Sequence, residues 1–210
     1  MSGTAVSPDV IGLAAEPSAP GPGQHAPLDF EIVPRKGLLI VAAAMIMLIV
    51  GIAVNGLWFL VFLHVAFGAA WTIIDLFLGL VLGPIMGRLS VPARIEFTTK
   101  LMPKMVLIMP TVVTISLAAG WQLSTKLGTN LSANPMHGWI VASFIVVGVM
   151  AIIALGLLEP ANIAVLYELK KPRPNPAVIQ RLMKRFIYSA GILGVMQVAT
   201  LVIMTKIATG

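Results

Sequence analysis

The sequence predicts an all-α polytopic membrane protein with five transmembrane helices, namely one N-terminal span followed by a four-helix bundle. The composition is 58% hydrophobic and 10% charged, whereas about a quarter of the residues in soluble domains are charged. Long apolar segments recur along the chain, and the basic residues cluster at their ends. The chain has no cysteine, which excludes disulfides and thiolate metal sites.

The first 34 residues differ in composition from the rest of the chain. They contain six prolines, several glycines and serines, and four acidic residues, without apolar periodicity. We therefore expect residues 1–34 to form a disordered cytoplasmic tail, in which His25 has no role. Because the tail lacks a basic start followed by an apolar core, it is not expected to be a secretory signal, and the first span is retained.

Five spans are expected because each crossing takes about 20 apolar residues. They are predicted at about residues 37 to 54, 57 to 86, 103 to 123, 138 to 166 and 186 to 207. The first two form a hairpin that reverses at Asn55-Gly56, since a single helix over both would be roughly 75 Å long, against a hydrocarbon core of about 30 Å. The chain then divides into the tail, an extra N-terminal span over 35–56 and the bundle over 57–210.

The distribution of basic residues predicts the orientation of these spans. Of the 14 Lys and Arg residues, 12 fall on the side of the N-terminal tail, and only Lys126 and Lys206 fall on the other side. The positive-inside rule then predicts a cytoplasmic N-terminus and an outside C-terminus in the cell membrane. We expect Arg181, Lys184 and Arg185 to contact anionic lipid headgroups at the cytoplasmic face. The net charge of +6 therefore reflects topology, and no nucleic-acid partner is expected.

Two ionisable residues lie within the second predicted span. His64 falls in its outer half, and Asp75, eleven residues later, in its inner half. Eleven residues at 100° each return to within about 20° of the starting direction. One helix face is therefore predicted to carry, in order, His64, Gly68, Trp71, Asp75, Gly79, Gly83 and Gly87. The glycines of this stripe allow close helix packing or provide a seat for a flat cofactor, and Trp71 is either packing or part of a redox path.

Asp75 needs a partner at membrane depth. An acidic residue at a helix centre costs about 2.5 to 3.5 kcal/mol on insertion scales. There are two alternatives. Either Asp75 has a structural partner, such as a hydroxyl of a neighbouring helix, or the carboxyl is protonated because burial disfavours the charged form.

Glu159 is a second carboxyl at comparable depth, in the fourth predicted span. If the two helices are adjacent, Asp75 and Glu159 meet in a proton-handling or cation-binding cluster, to which Thr111, Thr114 or Gln197 contribute. Alternatively, Glu159 reaches the cytoplasmic end and pairs with Arg181 or Lys184. Pro160 follows Glu159 directly and is expected to kink the helix.

His64 is the candidate metal or haem ligand. Its expected companion is His137, at the start of the fourth predicted span, because two imidazoles from different helices can hold a haem iron axially. The alternative is a hydrogen-bonded histidine in a helix contact. The 12 methionines are typical gap fillers, and no Met-x-x-Met cluster lies beside a histidine. The chain also lacks a phosphate-binding glycine loop, a His-Glu-x-x-His motif and a Gly-x-Ser-x-Gly motif.

The stretch 63–71, in which Leu-His precedes Trp71 by seven residues, resembles the first core helix of a group of bacterial four-helix membrane proteins. The group includes copper-resistance protein D (CopD) and HemJ-type protoporphyrinogen oxidases. Residues 100–102 and 109–114 with Gly120 are similar to the second helix of the HemJ type, and Gly138-Trp139 resembles a recurring helix start. The lysine that follows Gly-Trp in that pattern is replaced here by Ser143 or its neighbours.

The resemblance extends over about residues 57 to 208. It implies a four-helix bundle in a bacterial inner membrane that holds a b-type haem through His64, with copper as the alternative metal. Three functions remain open: a haem-binding redox protein, a copper or proton-coupled transport protein, and a non-catalytic subunit or assembly factor. In the last case the glycine stripe docks a partner membrane protein or a second copy of the chain.

Overall fold

The fold is known from a computed structural model that describes residues 30–129 and 131–210. Within these ranges there is no β-strand, and five helices are long and apolar enough to cross a membrane, which confirms the predicted fold class. Spans 1 to 5 are Arg35–Val54, Leu57–Arg88, Val91–Lys126, His137–Leu169 and Pro176–Thr209. Residues 1–29 of the predicted tail, including His25, lie outside the described residues.

Spans 2 and 4 are not α-helical throughout. Span 2 consists of α-helix Leu57–Leu76, the π-helical segment Phe77–Leu82 and α-helix Gly83–Arg88. Span 4 consists of α-helix His137–Ile153, the π-helical segment Ala154–Leu158 and α-helix Glu159–Leu169. A wide turn thus interrupts both helices in their second half.

Each π-helical segment lies just before a proline. Pro84 and Pro160 lack the N–H that would bond the carbonyl four residues earlier, and their rings clash with that carbonyl in a regular α-helix. The carbonyls concerned belong to Leu80 and Gly156, which lie inside the two π-helical segments. The wider turn moves these carbonyls away from the proline rings, so the chain continues as a helix instead of breaking.

Spans 3 and 5 begin earlier than the sequence predicted, at Val91 and Pro176 instead of at about residues 103 and 186. The Asn175 side chain accepts hydrogen bonds from the backbone N–H groups of Ala177 and Val178, which caps the start of span 5. Hydropathy detects only the apolar part that crosses the membrane, whereas backbone hydrogen bonds extend the helix into the polar segment before it.

The turn between spans 1 and 2 lies at Asn55-Gly56, as predicted. Asn55 has a φ of 51°, in the left-handed region, and its N–H bonds to the Gly51 carbonyl, which ends span 1. The Asn55 side-chain oxygen accepts a hydrogen bond of 3.3 Å from Gln122 Nε2 near the end of span 3. This bond attaches the hairpin turn to the neighbouring span.

Spans 2 to 5 form a four-helix bundle. Span 2 packs against spans 3 and 5, and span 4 packs against the same two neighbours. Span 1 lies outside the bundle, mainly against span 3, and only 11% of its apolar 18-residue stretch is buried within the protein. The ends of the bundle differ in charge: we call the end with Arg88, Lys170 and Arg181 the basic end, and the end with Asn55 the opposite end.

Spans 2 and 5 approach each other most closely at two glycines. A Cβ placed on Gly79 would lie 2.7 Å from Gly191 Cα and 2.9 Å from Gly191 N. Four residues further on, Gly83 lies against Ile187, whereas a Cβ on Gly87 would meet no atom within 4 Å. Gly79 and Gly83 therefore lie in a helix–helix contact, and Gly87 lies beyond its end.

We expect Gly79→Ala to destabilise the bundle by about 1–3 kcal/mol, because the added methyl overlaps backbone atoms of span 5 that have no side-chain freedom. Gly191→Ala is the matched control on the other side of the same contact, since its Cβ would meet no atom within 4 Å. Thermal unfolding in detergent, followed by circular dichroism, measures both. Equal losses of stability would contradict this packing.

Candidate functional site

The bundle interior contains a carboxyl–amide pair between spans 2 and 5. Gln197 Nε2 donates a 2.7 Å hydrogen bond to Asp75 Oδ2. Both residues are buried, since Asp75 is 0% exposed and Gln197 is 3% exposed. Among the described residues, the other two oxygens of the pair, Asp75 Oδ1 and Gln197 Oε1, have no hydrogen-bond partner. The indole N–H of Trp71 faces the Asp75 carboxyl, but it does not reach hydrogen-bond geometry.

The helix contact at Gly79 positions this pair. Asp75 lies one turn before Gly79, in the last turn of the α-helix that precedes the first π-helical segment. Near the same level, Leu76 packs against Gly194, where an added Cβ would lie 2.8 Å from the Leu76 side chain. Because the backbones of spans 2 and 5 nearly touch, the short Asp75 side chain reaches the amide of Gln197.

A second carboxyl–amide pair lies within span 4. Glu159 and Asn162 are the first and fourth residues of the α-helix after the second π-helical segment, so they lie on one helix face. Both side chains are buried. The Glu159 carboxyl and the Asn162 amide face each other, yet none of their four side-chain N and O atoms has a hydrogen-bond partner in the described parts of the chain.

The two pairs remain separate. No hydrogen bond or ion pair among the described residues joins Asp75 to Glu159, and neither carboxyl forms an ion pair there with a Lys or Arg. Thr111 Oγ1 donates to the Leu107 carbonyl of its own helix, and Thr114 is exposed. Of the partners that the sequence suggested for Asp75, Gln197 is the one that the structure brings into contact.

His64 lies between spans 2 and 3. Its Nδ1 is 2.8 Å from the Ser116 carbonyl oxygen, which can only accept, so Nδ1 carries a proton, and in the neutral imidazole Nε2 then has the lone pair. The ring lies against Gly120, where an added Cβ would be 2.6 Å from both Nδ1 and Cε1. His64 is therefore a hydrogen-bonded histidine in the contact between spans 2 and 3. The tautomer with the proton on Nδ1 also suits a metal ligand.

The described residues do not fit a haem held between His64 and His137. The His64 ring packs on span 3, whereas His137 begins span 4, which is not a main neighbour of span 2. His137 Nδ1 is buried without a hydrogen-bond partner in the described structure. Trp71 is buried in the core beside Asp75.

The described residues also form no metal site of histidine and carboxylate ligands. Within residues 30–129 and 131–210, no group of three or more His, Asp or Glu side chains could hold a metal ion. A copper site of imidazoles and carboxylates therefore has no candidate in this part of the chain.

The sequence alone did not point to Asn162, although its place three residues after Glu159 follows from helical spacing.

Comparison with protein-family models, with curated proteins and with solved structures found no match for this chain. The similarity to the CopD and HemJ group stays a prediction from the residues quoted above. The chemistry of the buried side chains is therefore the basis on which a function can be assigned.

We expect Gly120→Ala to displace the His64 imidazole and to remove its hydrogen bond to Ser116, with a loss of about 1–3 kcal/mol in stability. Gly148→Ala is the control, because it also adds a methyl to a helix, but with no atom within 4 Å. Both substitutions raise the helix propensity by the same amount, so the difference between their thermal unfolding temperatures reports on the His64 contact. Identical unfolding of the two variants would show that the ring is not held there.

We expect Gln197→Leu to destabilise the bundle by about 1–3 kcal/mol, because it leaves the Asp75 carboxyl without its donor. The double substitution Asp75→Leu with Gln197→Leu should recover much of this loss, since no unpaired polar group then remains. Thermal unfolding of the two single variants and the double variant gives the coupling energy between Asp75 and Gln197. If the double variant loses as much stability as the two single variants together, the hydrogen bond is contradicted.

Proposed function

We propose that this protein is a proton-coupled transport protein of the cell membrane, in which Asp75 and Glu159 bind and release the coupling proton. The observation that supports this proposal is the pair of buried carboxyl–amide contacts. Each contains a carboxyl with an unpaired oxygen and an amide with an unpaired carbonyl oxygen, within the described residues.

One proton completes the pair of Asp75 and Gln197. Gln197 already donates to Asp75 Oδ2, so the two remaining atoms, Asp75 Oδ1 and Gln197 Oε1, are both acceptors as long as the carboxyl is ionised. A proton on Oδ1 turns that oxygen into a donor towards the amide carbonyl. Protonation and deprotonation therefore switch this contact between a satisfied and an unsatisfied state. Glu159 and Asn162 have the same complementary groups, although none of their side-chain N and O atoms is bonded among the described residues.

The surroundings of both carboxyls favour proton exchange over a fixed ion pair. A buried carboxylate charge is expensive unless a cation compensates it, and neither carboxyl has a cationic partner among the described residues. A proton is the smallest ligand that removes this charge.

The helix interruptions support a transport role. Irregular helix turns within a membrane bundle are typical of transporter binding sites, and π-helical turns occur frequently at functional sites. Here the first π-helical segment begins two residues after Asp75, and the second ends immediately before Glu159. Both carboxyls thus lie on α-helix directly beside a departure from regular α-helical geometry.

The proposal includes the orientation that the basic residues predict. With the basic end of the bundle at the cytoplasmic face, anionic headgroups there are the lipid partners of Arg181 and its neighbours. Both carboxyls then lie in the inner half of the membrane. Protons would reach them from the cytoplasmic side over a shorter path than from outside.

Reconstituted protein on a solid-supported membrane should give a transient charge displacement after a jump in pH, because protons enter the buried pairs. We expect Asp75→Asn and Glu159→Gln each to reduce this current, and the double variant to abolish it. Glu96→Gln is the control, since Glu96 is exposed and forms an ion pair with Lys100 at 2.6 Å.

Infrared difference spectra between low and high pH provide the second measurement. The carboxyl C=O band of a buried acid should change with pH in the wild type and in Glu96→Gln, and this change should be missing in the double variant. A wild-type current and spectrum in the double variant would refute the proposal. Circular dichroism of each variant confirms that loss of signal is not loss of fold.

A further inference from the structure

Trp71 differs from the other three tryptophans of the chain. It is 4% exposed, whereas Trp58, Trp121 and Trp139 are 76%, 61% and 41% exposed. Its indole N–H is buried and has no hydrogen-bond partner among the described residues. Because a buried tryptophan N–H usually has a hydrogen-bond partner, we looked for the group that this donor serves.

The group beside this donor is the Asp75 carboxyl. Trp71 lies four residues before Asp75 in one α-helix, so the two side chains share a helix face, and the indole N–H faces the carboxyl. Three polar atoms around this carboxyl have no partner within the described residues: the donor Trp71 Nε1, the acceptor Gln197 Oε1 and Asp75 Oδ1. The last is an acceptor when the carboxyl is ionised and a donor when Oδ1 carries the proton.

We propose that Trp71 is a positioning residue for the proton at Asp75, and that the carboxyl changes its partner when it gains or loses that proton. In the ionised state the indole N–H donates to Asp75 Oδ1. In the protonated state Oδ1 donates to Gln197 Oε1, and the indole N–H loses its carboxylate acceptor. This inference rests on the proposed proton exchange at Asp75.

The chemistry of the two neighbours gives them different roles. The Gln197 amide has both a donor and an acceptor, so it can pair with the carboxyl in either state. The indole of Trp71 can only donate, and its bond to a carboxylate is charge-assisted, which makes it about twice as strong as a bond between neutral groups. Trp71 therefore stabilises the ionised state selectively, and this permits the proton to leave a buried site.

No charged side chain competes for the Asp75 carboxyl among the described residues. The charged and titratable side chains of spans 3 and 5, which pack against span 2, are exposed. The exception is Arg94, which is partly buried and donates to backbone carbonyls at the basic end. In span 2 itself, the His64 imidazole bonds to span 3 and the arginine at the end of the span is exposed. The donors beside the ionised carboxyl are therefore the uncharged N–H groups of the indole and the amide.

The first test observes the indole directly. Replacing the three exposed tryptophans by phenylalanine leaves Trp71 as the only tryptophan of the full chain. Ultraviolet resonance Raman spectra of this protein in detergent report the hydrogen bonding of the indole N–H. We expect a stronger hydrogen bond at high pH than at low pH. Asp75→Asn in the same background should remove this difference, and Glu96→Gln, at an exposed carboxyl, should retain it.

The second test removes the N–H but keeps an aromatic ring. In Trp71→Phe the ionised state loses its charge-assisted donor, so Asp75 should hold its proton at least about tenfold more tightly than in the wild type. This moves the midpoint of its infrared carboxyl band upward by about one pH unit. The band of Asp75 is the part of the spectrum that Asp75→Asn abolishes. Trp121→Phe makes the same substitution at an exposed position and should leave the midpoint unchanged.

The outcomes separate this inference from the proposed function. If the Asp75 band changes with pH but the indole signal does not, the role of Trp71 is overturned and the proton exchange stands. If neither changes, the proposed proton exchange fails and this inference fails with it. An indole signal that still changes in Asp75→Asn, or an equal shift in Trp121→Phe, would also overturn the role of Trp71. Circular dichroism verifies folding, and the first test retains the native Trp71.

Discussion

The contact of Gly79 with Gly191 determines how the rest of the bundle is arranged. Because Gly79 has no side chain, the backbones of spans 2 and 5 come close enough that a Cβ added to Gly79 would lie 2.7 Å from Gly191 Cα. One turn away, this separation allows Asp75 to accept a 2.7 Å hydrogen bond from Gln197. A wider spacing would leave the aspartate without its amide partner, so the close packing of Gly79 against the backbone of span 5 places the ionisable group.

The two carboxyl–amide pairs have the same chemical groups, but the fold brings their members together in different ways. Asp75 and Gln197 come from two spans and depend on the glycine contact, whereas Glu159 and Asn162 come from successive turns of one helix. In each pair an acid and an amide supply complementary groups, and the number of satisfied hydrogen bonds depends on one proton. Since a buried polar atom without a partner costs about 1–3 kcal/mol, the occupancy of that proton affects the stability of the surrounding helices.

The sequence predicted those features that depend on local composition. Hydropathy identified the five spans, the thickness of the hydrocarbon core required the reversal at Asn55-Gly56, and the cost of burying an acid marked Asp75 as a residue that needs a partner. The sequence could not predict the early start of span 3 at Val91, because a polar helical segment before the apolar stretch gives no hydropathy signal. Nor could it choose Gln197 among the suggested partners of Asp75, since only the packing of spans 2 and 5 makes these distant residues neighbours.

Proline alone does not explain the two π-helical segments. Pro84 and Pro160 each follow one, yet Pro103 and Pro110 lie inside span 3, which remains α-helical throughout. Removing a backbone donor is therefore compatible with either helix type. What distinguishes spans 2 and 4 is a buried carboxyl within two residues of the wide turn. Departures from regular helix geometry are expected where function, not stability, selects the sequence, and here both coincide with the groups that we propose to exchange protons.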